Sequence, residues 1–441
     1  MVEGMKIEVK VKEEVMVRPA AAKTGSMPRG TTLWLSNLDT VFPLKSYVDC
    51  TFFFRSIPFF NSSILKATLG RALAEYYPLA GRLKWDEQRR RLEVECNGEG
   101  VLFIEATANG ALLDLGANLG PRPDLTFVPV IDFSKETSAL PLFMVQVTRF
   151  TCGGICFAFA IDHHLCDGFS AVQFLRTWAD IVGCAGITLP PFHDRQAVLS
   201  ARHPPQLEFD HIEYQPSPTL IDPITSTTNS TSYKRFRLTP DQVKALKAQC
   251  KISSTNQVSN DPYTTYEVIT GHAWRCVSMA RRLPKNQPTK LHMAVDGRER
   301  LLPRLPPGYF GNVVFRATPI ALAGDLQENP VGFSVLKVHE ALVRMDDRYM
   351  RSAIDYLEIH QGPLPESLAD YRSPNLGIIS WARLPLYDDI KVLGKPIYAG
   401  PGSIPGEGRS QVLPAHDGSL LYAISLPEQE MAIFEKLFYD I

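Results

Sequence analysis

The sequence is poor in long apolar stretches: no window of its 441 residues reaches the ~18 uninterrupted apolar residues that a bilayer-spanning helix needs. From Met1 to Pro19 the chain alternates Lys, Glu and Val, with Lys6, Glu8, Lys10, Lys12 and Glu13, and holds no apolar core such as a secretory signal carries. A cytoplasmic location is the expectation. Charge imbalance is missing too. A formal net charge of -1 leaves no field to gather nucleic acid or an anionic membrane surface, so small-molecule partners are expected. The eight cysteines, Cys50, Cys96, Cys152, Cys156, Cys166, Cys184, Cys250 and Cys276, lack the paired C-x-x-C spacing of a zinc site and read as buried reduced thiols, with no metal. Also absent are a G-x-S-x-G elbow, a P-loop and a G-x-G-x-x-G after a strand. Their absence removes the usual hydrolase, kinase and dinucleotide readings.

What is present is an ordinary globular composition, 45% hydrophobic and 21% charged. A chain this long exceeds the roughly 250 to 300 residues at which one core stops growing, so two domains are expected. Proline pairs and a Ser/Thr run between Arg202 and Ser232 leave little to bury there. The division is therefore 1–201, a surface-crossing linker 202–232, and 233–441. Periodicity predicts a strand at Met5 to Val11, a helix at Ser63 to Tyr77, and strands at Leu92 to Cys96, Leu142 to Thr148 and Ile155 to Ile161. Helices follow at Thr239 to Cys250 and Thr264 to Ala280. The fold class is mixed α/β, with sheet and helix in both halves.

One segment concentrates chemistry. Ile155 to Ile161 is a near-continuous apolar run, as for a strand buried on both faces, and it ends abruptly in Asp162, His163 and His164. Asp167-Gly168 then opens a helix whose apolar stripe reads Val172, Leu175, Trp178, Ala179 and Val182. His163 is thus held between two rigid elements. A neutral imidazole there can take a proton from an alcohol or an amine. Asp167 can either orient that ring or hold the loop through an ion pair, while His164 reads as packing. With no covalent nucleophile in evidence, direct attack of an acceptor on an activated acyl donor is the simplest mechanism.

The segment from His163 to Gly168 fits H-x-x-x-D-G, and the chain resembles the BAHD acyltransferases of plants over essentially its whole length. Tyr77-Pro78-Leu79-Ala80-Gly81-Arg82-Leu83, His211-Ile212-Glu213-Tyr214-Gln215-Pro216 and Pro306-Pro307-Gly308-Tyr309-Phe310-Gly311-Asn312 are similar to the hydroxycinnamoyl-CoA shikimate/quinate hydroxycinnamoyltransferase branch. That resemblance implies two chloramphenicol-acetyltransferase-like domains with a channel between them, His163 as general base, and a monomer. It implies no cofactor: the acyl-CoA thioester is a co-substrate, and the other partner is an alcohol or amine acceptor. It further implies Trp381 as a donor to the tetrahedral oxyanion, Asp167 paired with Arg298 in a supporting role beside Gly168, and Lys247 as a CoA phosphate contact.

The sequence also departs from that pattern. Where the family carries Asp-Phe-Gly-Trp-Gly near the C-terminus, this chain has Ile390-Lys391-Val392-Leu393-Gly394, and Asp388 or Asp389 is the candidate for the missing carboxylate. The branch's acceptor-binding arginine aligns with Glu366, a pocket threonine with Ile379, and a pocket serine and tyrosine with Asp49 and Thr51. An anion in place of a cation disfavours a carboxylated acceptor unless Arg372 or Arg383 supplies the positive charge. Three readings result. O-acylation leads, N-acylation of an amine or polyamine at Asp49 and Glu366 is the second, and a catalytically silent CoA-ester binder is the third.

Overall fold

The computed structural model describes residues 7–20, 31–55, 61–116, 119–122, 124–221, 230–252, 263–360, 370–388 and 393–441. The first half has strands β1 (Val9–Val17), β2 (Thr32–Trp34), β3 (Tyr47–Phe54), β4 (Arg82–Asp86), β5 (Arg91–Glu95), β6 (Val101–Ala108), β7 (Phe143–Arg149) and β8 (Ile155–Asp162). Its helices are α1 (Ser62–Glu75), α2 (Gly168–Val182) and α3 (Gln196–Leu199). The second half has β9 (Thr231–Leu238), β10 (Pro288–Asp296), β11 (Val314–Ala317), β12 (Ile320–Leu322), β13 (Leu376–Ser380), β14 (Tyr398–Gly400), β15 (Arg409–Pro414) and β16 (Leu420–Pro427). With them come α4 (Pro240–Ile252), α5 (Thr265–Ala280), α6 (Ala323–Glu328), α7 (Val331–Val343), α8 (Asp347–Ile359) and α9 (Glu428–Phe438). No helix among the described residues is long and apolar enough to cross a membrane.

Two large mixed sheets organise the chain. One runs β1-β6-β7-β8-β3-β14 and the other β11-β10-β13-β15-β16-β9, with β12 on β10; a small third sheet runs β2-β5-β4. The first sheet is completed from the second half. Tyr398, Ala399 and Gly400 of β14 pair with Phe53, Phe52 and Thr51 of β3, so a strand numbered within 233–441 belongs by its hydrogen bonds to the first sheet. Every residue of β8 is buried, which is what its unbroken apolar run requires, and β8 is flanked by β7 and β3. Packed against this sheet is α2, begun by Asp167, whose side chain accepts from the Ser170 N–H in the manner of an N-cap.

Several details differ from the sequence pattern. The first strand begins at Val9 rather than near Met5 and runs on to Val17, with an irregularity between Val11 and Glu13; residues 1–6 lie outside the described residues. Helix α1 stops at Glu75 because Pro78 follows, and a proline disfavours helical backbone at the residue before it; Tyr77–Ala80 form a 3₁₀ turn instead. Val172 and Trp178 of the expected stripe of α2 are buried, together with Ala171, Phe174 and Ile181, whereas Leu175, Ala179 and Val182 are only half-buried. Both phases of that helix are apolar, and the sheet takes the larger aromatic pair. The segment expected to cross the surface from 202 is pinned down at its start. Arg202 pairs with Asp355 of α8, and His211 is fully buried between Glu213 and Ser352. Residues 222–229 of that segment lie outside the described residues. The eight thiols are free, but Cys152 and Cys184 are exposed rather than buried.

Candidate active site

His163 follows β8 directly and is fixed by its backbone before its ring is considered. Its N–H donates to the Ser46 carbonyl at 2.7 Å, and its own carbonyl accepts from Asn312 Nδ2 at 2.8 Å. The half-buried ring stacks on Phe42, with centroids 3.8 Å apart and planes 16° from parallel. Asn312 Oδ1 lies 3.2 Å from His163 Nδ1.

The tautomer follows from what lies behind Asn312. Its Nδ2 faces two oxygens, the His163 carbonyl and Asp39 Oδ1 at 2.7 Å. Oxygen in that position would meet two acceptors, so the amide can point only one way and Oδ1 is the atom turned to the ring. An acceptor there calls for the proton on Nδ1, which leaves the Nε2 lone pair as the basic site. Asp39 is held in turn. It takes the Asn312 backbone N–H at 3.0 Å, and its other oxygen takes Ser36 and lies 3.1 Å from Arg195 Nε, both members of that ion pair being fully buried. Burial holds the His163 imidazole below its ordinary value of 6.5, against the opposing pull of Asp167 and Asp162. It is accordingly neutral at neutral pH, the form a general base requires.

His164 cannot share this work. Its Nδ1 lies 2.7 Å from Asp162 Oδ1 and its Nε2 3.1 Å from the Phe42 carbonyl, so both nitrogens are committed to oxygens. Asp167 turns away from the His163 ring, its oxygens taken by a two-pronged contact from Arg298 at 2.8 and 2.9 Å and by the amides of Ser170 and Val313 at 3.1 and 3.0 Å. Burial alone would raise this carboxyl, but the Arg298 charge and the donors around it hold it below the ordinary 3.8. Arg298 and Val313 belong to the second half, so this one carboxylate caps α2 and joins the halves. A side chain at Gly168 would press on Leu384, just after Trp381.

The remaining sequence candidates are more scattered. Trp381 follows β13, its backbone N–H bonds the Val412 carbonyl at 2.8 Å, and its ring packs on the cluster that includes α2. No hydrogen bond to its indole N–H is found among the described residues. Asp49 accepts the Gly402 and Ser403 amides, both at 2.9 Å. Beside it Thr51 is buried beneath Gly402, where even a Cβ would crowd its methyl group. Ile379 is exposed on β13, and Lys247 is half-buried on α4. Arg372 is matched to Asp370, Arg383 is exposed, and Asp388 pairs with Arg176 of α2. Glu366, Asp389 and Ile390 to Val392 lie outside the described residues. Sequence reasoning gave no role to Asn312, Asp39, Arg195 or Phe42. Asn312 falls within the Pro306–Asn312 stretch, but nothing in the spacing of residues 149 and 273 positions apart announces a contact.

Two mixed sheets, a neutral imidazole at the end of a buried strand and a helix cap that binds both halves define the site. The chain matches the transferase family over residues 5–441. It is 44% identical to rosmarinate synthase of Plectranthus scutellarioides, covering 99% of this chain and 100% of that protein. Identity is also 44% to shikimate O-hydroxycinnamoyltransferase of Nicotiana tabacum, again over 99% and 100%. Among solved structures, vinorine synthase superposes with a TM-score of 0.72 at 22% identity, covering 97% of this chain and 96% of that one. TRI101 of F. sporotrichioides, complexed with coenzyme A and T-2, superposes at 0.70 with 17% identity over 92% and 97%. These structural likenesses bear on the fold, which is the two-domain chloramphenicol-acetyltransferase-like one. The chain belongs to the BAHD family of plant acyltransferases.

Two predictions follow from the geometry. Replacing Asn312 by Ala removes the acceptor for Nδ1–H, so kcat falls about tenfold, the worth of one net hydrogen bond, with KM little changed. Because that acceptor favours the imidazolium, its loss also moves the acid limb of kcat/KM to lower pH, from a wild-type limb expected below 6.5 because burial lowers the imidazole. An unchanged plateau would show that the amide does not position the ring. Replacing Asp167 by Ala uncaps α2 and leaves Arg298 with Asp296 as its remaining carboxylate partner, costing about 1–3 kcal/mol, read as a lower denaturant midpoint. Since the folded carboxyl is depressed below 3.8, this contribution is complete above that pH and fades as pH drops through the lowered value. Lost activity at undiminished stability would instead make Asp167 part of the chemistry.

Proposed function

We propose that this chain transfers a hydroxycinnamoyl group from its CoA thioester to a hydroxyl of shikimate, quinate or a related alcohol. His163 Nε2 takes the acceptor's proton as its oxygen attacks the thioester carbonyl. The tetrahedral oxyanion receives the Trp381 indole N–H; then the C–S bond breaks and the CoA sulfur takes the proton from His163. No covalent enzyme intermediate forms. The observation that carries this reading is the Asn312 contact, which leaves Nε2 as the unprotonated nitrogen of a ring kept neutral by burial. The acyl group is supported by relatives along the full length that are named for hydroxycinnamoyl transfer. Arg298 and Asp167 hold the halves together around the base, and Lys247 is the candidate contact for CoA phosphate.

A second reading has one specific support. A relative from Avena sativa, 41% identical over 98% of this chain, is named as an N-hydroxycinnamoyltransferase acting on 5-hydroxyanthranilate. An amine acceptor would also suit carboxylates at Asp49 and Glu366, although Asp49 already accepts two backbone amides.

Purified protein supplied with p-coumaroyl-CoA and a panel of alcohols and amines separates these readings. Esters as the main products are expected, with kcat lowered about 10²- to 10⁴-fold in His163→Ala and an unchanged circular dichroism spectrum. Amides as the main products would replace the alcohol by an amine. Turnover that survives intact in His163→Ala would remove the base assignment.

A further inference from the structure

Beside the site lies a cavity of about 340 Å³ that His163 does not line. Phe42, Leu44, Leu83, Trp85, Leu92 and Leu357 form its apolar walls, so the small sheet and α8 enclose it from opposite halves of the chain. Phe42 borders both spaces, stacking on His163 and lining the cavity. The volume is within the roughly 300–1,000 Å³ typical of small-molecule sites, and mostly apolar walls with a few polar groups are the usual composition of such sites.

The polar lining is selective. Arg91 is spent, its guanidinium donating to the Leu35 carbonyl at 2.7 Å and to Asn37 Oδ1 at 2.9 Å while stacked 4.5 Å from the Trp34 ring. Arg90 has no ion pair or hydrogen bond to its guanidinium among the described residues, and its backbone sits in the left-handed region at φ 51°, uncommon for a residue with a side chain. Trp85, 45% exposed, offers an aromatic face, and Thr137 and Ser138 bring hydroxyls. Among the described residues Glu136 is the single carboxylate of the lining, against two guanidinium groups.

We propose that this cavity is a second small-molecule site, separate from the thioester site, which takes a planar aromatic acid. Its ring packs against Trp85 and the Phe42 side, its carboxylate pairs with Arg90, and a ring hydroxyl meets Thr137 or Ser138. A flat aromatic suits walls supplied by Trp and Phe, and a guanidinium with no internal partner is the natural seat for a carboxylate. This inference rests on the lining alone and not on the reaction proposed above.

Isothermal titration with 4-hydroxycinnamic acid tests it without turnover. Wild type and His163→Ala should each bind one equivalent with matching Kd. Arg90→Gly, which glycine's tolerance of positive φ lets fold normally, should weaken binding about tenfold, the scale of a charge-assisted contact. Trp85→Ala should weaken it as well. The corresponding alcohol, which lacks the carboxylate, should bind wild type and Arg90→Gly alike. No saturable heat in wild type, or a Kd unmoved by Arg90→Gly, overturns the assignment.

Discussion

The placement of the His163 ring depends on one side-chain amide. Asn312 is trapped between the Asp39 carboxylate and the His163 carbonyl, both of which demand its N–H groups, and its oxygen is thereby turned to His163 Nδ1. Behind it Asp39 is locked by a fully buried contact with Arg195 and by Ser36. Asp39 and Asn312 are satisfied within this buried network, which makes that part rigid, while Arg195 Nε and Nη1 find no well-directed hydrogen-bond partner among the described residues. The rigidity reaches the ring, whose two flanks are set by Phe42 and by the amide.

The same logic joins the halves. Residues from both sides of the chain complete the imidazole's surroundings: Ser46, Phe42 and Asp39 from the first, Asn312 from the second. Asp167, four residues on from His163, repeats the pattern, capping α2 while Arg298 and Val313 reach it from the other half. Strand β14 adds a third tie by completing the sheet that carries β8. Relative movement of the halves would strain all three, so the His163 imidazole is held by an arrangement that neither half builds alone.

How much of this was legible in the sequence depended on range. The buried strand and the helix that brackets His163 were readable because an apolar run ending in charge, followed by Asp-Gly, is a local signal. The phase of α2 was legible only in part: Val172 and Trp178 face inward as the pattern implies, but Leu175 and Ala179 compete with Phe174 and Ile181 and only the opposing sheet decides. His163 stood out by residue type and position, and the resemblance to BAHD acyltransferases brought Asp167 and Arg298 together. Asn312 acquired no role from sequence, because the reason for it is a contact with Asp39, 273 positions away. His211, read as part of a surface crossing, proved buried for a similar reason: its partner Ser352 lies 141 residues on.

The central claim is a protonation state that can be observed directly. Nitrogen-15 NMR of the His163 ring at neutral pH, assigned by its disappearance in His163→Gln, should show a neutral imidazole with the proton on Nδ1 and an unprotonated Nε2. A proton on Nε2, or an imidazolium at that pH, would mean that the amide does not set the ring and would contradict the account.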